Sequence, residues 1–298
     1  MKILLIGGTR FIGPKIINTL HKKAEVTVFN RGTNPNFVYP AGVRVVKGDR
    51  NSTDDVEKLK RQKYNTIIDT CAYTKKQIES IEDLITAVEH YIFISTAAVY
   101  DFGKTKLPVK ESARLGPSKE FAPYAQRKIE AEKYLIKLAK TNRATVSILR
   151  PAYILGPQNQ FYRENYFFDA LGMDKEIIIP RTSTIQTSFA DIDDVAELIT
   201  RLINKGHNSF LKGNVDIYNV AGEESVSFEQ FANLCGKVAG KTPKIGKAEN
   251  PKDFPFPSVA LAINSEKMRR ALGHDLTSLE KTLKKSWEYY INKKKTTG

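Results

Sequence analysis

The feature that most limits what this chain can fold into is a glycine-rich turn at residues 7–13. The apolar run Lys2-Ile3-Leu4-Leu5-Ile6 leads into Gly7-Gly8-Thr9-Arg10-Phe11-Ile12-Gly13, and an amphipathic stretch opens at Lys15-Ile16-Ile17. A strand, a turn with glycines at both ends and then a helix is the setting in which backbone N–H groups approach a pyrophosphate and the positive end of a helix dipole meets its charge. Gly7, Gly8 and Gly13, with Thr9, Phe11 and Ile12, are therefore read as a dinucleotide cradle. Arg10 stands where such turns carry their middle glycine. Its side chain either turns to solvent or sets a guanidinium beside a phosphate.

Beyond the turn, short apolar runs alternate with longer amphipathic ones. Val26–Phe29, Val43–Lys47, Thr66–Asp69, Tyr91–Ile94 and Thr145–Leu149 read as strands, with helices at Asp54–Arg61, Gln77–Val88 and Tyr124–Lys140. Strands that are apolar at every position imply a parallel sheet covered on both faces. The expected fold is α/β: a Rossmann-type doubly wound parallel sheet with a smaller C-terminal substrate-binding region. After Arg150-Pro151 the alternation loosens into a strand at Ile177–Pro180, a helix at Ile192–Leu202, a strand at Val215–Val220, and helices at Phe228–Ala239 and Ser278–Ile291. The chain is expected to cross between two regions. Residues 1–156 with 184–221 build the dinucleotide-binding domain, and 157–183 with 222–298 the substrate-binding region. The Lys293-Lys294-Lys295 tail is expected to fray.

Composition narrows the setting. No segment approaches the roughly 18 apolar residues of a membrane helix, and Gly7-Gly8 ends the first apolar run too early for a signal peptide. Cys71 and Cys235 are far apart and four histidines show no ligand spacing, so neither a disulfide framework nor a metal site is expected, and a reducing, cytoplasmic setting fits. The formal net charge is +14. A basic balance favours acidic partners such as nucleotides, nucleotide-sugars or RNA, although many of the lysines read as the solvated faces of helices.

The strand ends carry the candidate cofactor contacts. An acidic residue at the end of the second strand would hold the adenine ribose of NAD. Here that place is Asn30, followed by Arg31, and with Arg10 two cations could hold a ribose 2′-phosphate. The reading therefore leans to NADP over NAD. Asp49 and Arg50 close the third strand, Cys71 and Ala72 follow the fourth, Ser95 the fifth and Pro151 the sixth, along the edge where ligands sit in such sheets. Cys71 reads as a small packed residue more than a reactive one.

The catalytic candidates are Tyr124 and Lys128, four apart and so on one helix face. A phenol with a pKa near 10 is a poor base at neutral pH, and an ammonium beside it would favour the phenolate. The hydroxyls of Ser95 and Thr96 stand at the end of the fifth strand, where one could hydrogen-bond a reacting carbonyl or alcohol.

The glycine turn, Ser95-Thr96-Ala97-Ala98-Val99-Tyr100, the pair Tyr124/Lys128, Leu149-Arg150-Pro151-Ala152-Tyr153 and Phe189-Ala190-Asp191-Ile192-Asp193-Asp194 come in the order seen in extended short-chain dehydrogenases/reductases. The chain resembles that family of nucleotide-sugar epimerases, dehydratases and reductases over about residues 1–290. The resemblance implies Thr96 as hydroxyl partner, with Ser95 the adjacent alternative, Tyr124 as acid/base and Lys128 as the cofactor contact that lowers its pKa. Ala97 and Gln186 fall at substrate-facing positions, and Arg150, Gln186 and Arg269 are candidates to meet a substrate phosphate.

Two departures bear on the subclass. Ala97-Ala98 stand where sugar 4,6-dehydratases of the family carry acids, which argues against dehydration. Only about twenty residues separate Ala72 from Phe93, short for the family's dimer-forming insert, so monomer and homodimer both stay open. The turn and the Phe29-Asn30-Arg31-Gly32 strand end also resemble the chloroplast stem-loop-binding branch, whose plant members are linked to RNA. Two functions follow: an NAD(P)-dependent epimerase or reductase acting on a nucleotide-sugar or similar polar substrate, and an RNA-associated protein whose dinucleotide site is regulatory or vestigial.

Overall fold

A computed structural model describes residues 1–142, 144–182, 185–209, 213–273 and 275–297. The expected boundary at 183/184 and His274 lie outside them. The apolar runs fold as seven parallel strands: β1 (Lys2–Ile6), β2 (Glu25–Asn30), β3 (Arg44–Lys47), β4 (Thr66–Asp69), β5 (His90–Ile94), β6 (Val146–Pro151) and a late strand, Val215–Val220. In space they run β3-β2-β1-β4-β5-β6 and then the late strand. The chain winds outward from β1 in one direction, then returns to lay β4 on its other side. The carboxyl ends of β1 and β4 thus flank the point where strand order reverses, which is where open α/β sheets bind ligands.

Alternation within each strand feeds two cores. Ile3 and Leu5 of β1 join one apolar cluster, Leu4 and Ile6 the opposite one; Ile92 and Ile94 of β5 divide from Tyr91 and Phe93 in the same way. The first cluster is closed by α1 (Ile12–Leu20), the second by α2 (Thr53–Glu57), α3 (Lys75–Glu79), α4 (Glu82–Ala87) and α5 (Tyr124–Asn142). The helix expected over Gln77–Val88 is two: the turn between α3 and α4 falls at Ser80-Ile81, where Ile81 is buried and both short helices keep an apolar residue inward.

The second half is richer than its sequence pattern. β7 (Tyr153–Leu155) and β9 (Thr187–Asp191) pair in parallel, with β11 (Ser225–Val226) antiparallel to β9. β8 (Ile177–Pro180) pairs with β12 (Ile245–Ala248), and the late strand of the large sheet is β10. Helices α6 (Glu164–Gly172), α7 (Ile192–Ser209), α8 (Phe228–Ala239), α9 (Glu266–Leu272) and α10 (Leu279–Thr297) complete the chain. Phe167, Phe168, Phe228, Phe231 and Phe256 build a separate aromatic core there. α10 continues through Lys293-Lys294-Lys295, against the expected fraying, and Lys294 pairs with Asp169 of α6. No helix among the described residues is long and apolar enough to cross a membrane.

Candidate active site

The site is built where β1, β2, β4, β5 and β6 end. Gly7 has φ 97° and its N–H donates to the Phe29 carbonyl at 2.9 Å; a Cβ there would fall 2.4 Å from the Thr70 hydroxyl. Gly13 is required for a different reason. A Cβ on it would lie 2.3 Å from the backbone of Gly8, so only glycine lets α1 begin this close to the turn. No side chain caps α1, and no acidic residue stands in its first turn. An uncapped, acid-free helix start behind a glycine turn fits the pyrophosphate of a dinucleotide.

Around this cradle Arg10 and Arg31 are exposed and have no ion-pair partner among the described residues. Asn30 is held in place: its amide donates to the Tyr39 hydroxyl at 2.9 Å and its carbonyl accepts from the Gly32 N–H at 2.8 Å. Thr9 accepts from Asn34 through its carbonyl, and Asp49 accepts from Asn51. The Cys71 thiol lies against Gly7, and burial pushes its pKa up to about 11, so it is a poor thiolate. Pro151 is buried at the end of β6, paired with Val220.

On the other wall stands Tyr124, at the start of α5, with Thr96 beyond the end of β5. The Thr96 side chain stands beside the Tyr124 phenol, and its hydroxyl accepts from the Ala98 N–H. Desolvation, with Tyr73 beside it, raises the phenol's pKa, while the neighbouring Thr96 hydroxyl and the charge of Arg163 act to lower it. Tyr124 keeps 41% of its surface exposed, so water tempers this desolvation. Lys128 is 2% exposed, and its ammonium donates to the carbonyls of Ala72 at 2.6 Å and Ile94 at 2.7 Å. It also lies over the rings of Phe93 and Tyr73. Burial lowers its pKa to about 8. Through these bonds the lysine ties the ends of β4 and β5 to α5.

Several residues assigned from sequence have other work. Ser95 is 4% exposed and donates its hydroxyl to Glu132 at 2.5 Å, so Thr96 is the hydroxyl that meets Tyr124. Arg50 is buried, ion-paired with Asp69 at 2.8 Å and bonded to the Gln77 carbonyl, so it braces the ends of β3 and β4. Arg150 is 2% exposed and bound to Glu132, the Tyr100 hydroxyl and the Glu111 carbonyl, out of reach of a substrate phosphate. Arg269 is exposed and pairs with Glu223. The Ala97 side chain is wholly buried in the cluster of Val99, Tyr100 and Ile129. Gln186 is half-buried, its carbonyl accepting from the Leu261 N–H. Sequence reasoning missed Tyr73 and Arg163, which reach the site from the loop after β4 and the start of α6; Tyr73 packs 6.1 Å from the Tyr124 ring. Neither has a spacing signal, since only tertiary folding brings them to Tyr124.

A glycine cradle at the switch point of a doubly wound sheet, facing a tyrosine–threonine pair, defines a dinucleotide-binding α/β protein. The NAD dependent epimerase/dehydratase family model matches residues 3–221, and the chain belongs to that family. It is 30% identical to the chloroplast stem-loop binding protein of 41 kDa b of Arabidopsis thaliana over 269 residues, 86% of this chain and 68% of that one. Among solved structures, it superposes on the dTDP-glucose 4,6-dehydratase of Bacillus anthracis in complex with NAD with a TM-score of 0.83 at 20% identity, covering 99% of this chain and 98% of that one. The UDP-glucose 4-epimerase of Thermotoga maritima with UDP-glucose gives 0.79 at 18% identity, covering 98% and 99%. At these identities the likeness to the solved structures is one of fold.

Proposed function

We propose that this chain is an NAD(P)-dependent epimerase or reductase that acts on a nucleotide-sugar or similar polar substrate. The observation that carries the reading is Tyr124 set beside Thr96 on a helix that Lys128 ties to the ends of β4 and β5. The bound nicotinamide would supply the hydride acceptor or donor. Thr96 would orient the reacting hydroxyl or carbonyl, and Tyr124 would move the proton. Gly7, Gly8 and the start of α1 would hold the pyrophosphate, and exposed Arg10 and Arg31 favour NADP. Dehydration is disfavoured because Ala97 and Ala98, both buried, offer no acid or base at that place.

The test is Tyr124→Phe. Turnover should fall about 10²–10⁴-fold while dinucleotide affinity, measured by calorimetry, stays near that of the parent. Unchanged turnover would overturn the role of Tyr124. A second reading, RNA association, is supported by the stem-loop binding relative and the charge of +14. It requires affinity for a stem-loop RNA that falls steeply between low and physiological salt; a flat salt response would remove it.

A further inference from the structure

The described arginines that are not exposed are Arg50, Arg150 and Arg163. Arg50 is paired with Asp69 and Arg150 with Glu132. Arg163 has no such partner. Its guanidinium lies 4.8 Å from the centre of the Tyr153 ring and 4.7 Å from that of Phe161. One N–H donates to the Ile154 carbonyl at 3.2 Å, and the rest find no acceptor among the described residues. The adjacent carboxylate, Glu164, is instead bound by the Gly156 N–H, the Asn159 amide and the Ser286 hydroxyl.

A half-buried charge without an ion-pair contact is costly, and a fold that pairs its other buried arginines directly leaves this one with only the charge of neighbouring Glu164. Two neighbours place it on the substrate side of the site. It lies over Tyr153, two residues past the end of β6 on the edge where the sheet's ligands sit, and its charge acts on the Tyr124 phenol. Beside it the Tyr153 hydroxyl is buried with no hydrogen-bond partner, a second polar group that awaits one. Both rings lie within cation–π range of the guanidinium and only one of its N–H groups is taken by the protein, which leaves donors for an oxyanion.

We propose that Arg163 is an anion-recognising residue of the substrate cleft, held by Tyr153 and Phe161 to receive a phosphate or carboxylate oxygen of the substrate. The inference rests on the nucleotide-sugar reading for where the substrate lies. The anion chemistry stands on Arg163 itself. It also names a substrate feature: a negative group on, or next to, the sugar whose carbon reacts at Tyr124.

The experiment is calorimetric titration of UDP, UDP-glucose and UDP-glucuronate into the dinucleotide-loaded protein, in the parent, Arg163→Met and Arg163→Lys, with thermal melts to confirm folding. Loss of at least about tenfold in Arg163→Met for UDP-glucuronate alone assigns the sugar carboxylate, and an equal loss for all three assigns the diphosphate. Arg163→Lys should retain part of the affinity in either case. Three ligands that bind Arg163→Met as tightly as the parent overturn the proposal. If the parent binds none of the three, the nucleotide-sugar reading falls. The arginine is then judged with sodium pyrophosphate and D-glucuronate alone: binding lost in Arg163→Met supports it, and identical isotherms, or no binding to the parent, overturn it.

Discussion

Glu132 on α5 is wholly buried and accepts from three donors: the Ser95 hydroxyl at the end of β5 and, through Nε and an Nη, the guanidinium of Arg150 on β6, the shorter of these two guanidinium contacts being 2.6 Å. Arg150 reaches on to the Tyr100 hydroxyl, which donates to Asn219 of β10. This network fixes α5, and with it Tyr124 and Lys128, against the strands that carry Thr96. Glu132→Leu keeps the volume apolar but strands a guanidinium that stays charged without its carboxylate. Removing one partner of a buried pair costs about 3–5 kcal/mol, against less than about 1 kcal/mol for an exposed pair. With a urea m-value of about 3 kcal/mol/M the midpoint should fall by about 1–1.7 M, read by far-UV dichroism and by the fluorescence of Trp287. The double variant Glu132→Leu/Arg150→Met should recover part of the loss, with a coupling of at least about 2 kcal/mol. Recovery stays incomplete because the Glu111 carbonyl and Tyr100 also lose their partner. A single-variant loss under about 1 kcal/mol, or strictly additive effects, would refute the reasoning.

Gly13→Ala places a methyl 2.3 Å from backbone atoms of Gly8 that cannot swing aside; a stability loss of about 1–3 kcal/mol and a weakened dinucleotide titration are expected, and a variant matching the parent in both would contradict the close-approach argument. Lys128 has its pKa lowered to about 8 in the fold, below an unfolded value of about 10.4. The unfolded chain therefore binds the extra proton between those values, and stability from this group is present above the unfolded pKa and lost as pH falls through the folded one. Between pH 7.5 and 9.5 the parent should gain about 2 kcal/mol relative to Lys128→Met in urea unfolding; a difference independent of pH would contradict it. The Cys71 thiol, pushed up to about 11, should react with a disulfide reagent at pH 8 far more slowly than a free peptide thiol, and reaction at the peptide rate would show that it is not desolvated.

The large sheet was legible because parallel strands buried on both faces write themselves as unbroken apolar runs: Ile3 to Ile6 and Tyr91 to Ile94 could be little else. The glycine turn was legible because its chemistry is local. What escaped was set by distance. β7, β9 and β11 are short, and their partners lie far along the chain, so Tyr153–Leu155 and Thr187–Asp191 carry no periodic signal of their own. Arg150 looked available for a phosphate because its partner Glu132 lies on another element, and a sequence shows charge but not pairing. Ser95 and Thr96 were indistinguishable as neighbours; the strand's alternation turns one inward to Glu132 and the other to Tyr124. Arg163 carries no spacing signal, and only the fold sorts its aromatic neighbours: Phe167 and Phe168 enter the core while Phe161 and Tyr162 stay exposed.

The central claim is that the cradle from Gly7 to Gly13 and the strand ends around it bind a nicotinamide dinucleotide. Calorimetric titration of NADP⁺ and NAD⁺ in matched buffers tests it most directly. The account predicts saturable one-to-one binding, tighter for NADP⁺ and reduced towards the NAD⁺ value when Arg10 and Arg31 are replaced by alanine. Absence of binding by either dinucleotide to the folded protein would contradict it.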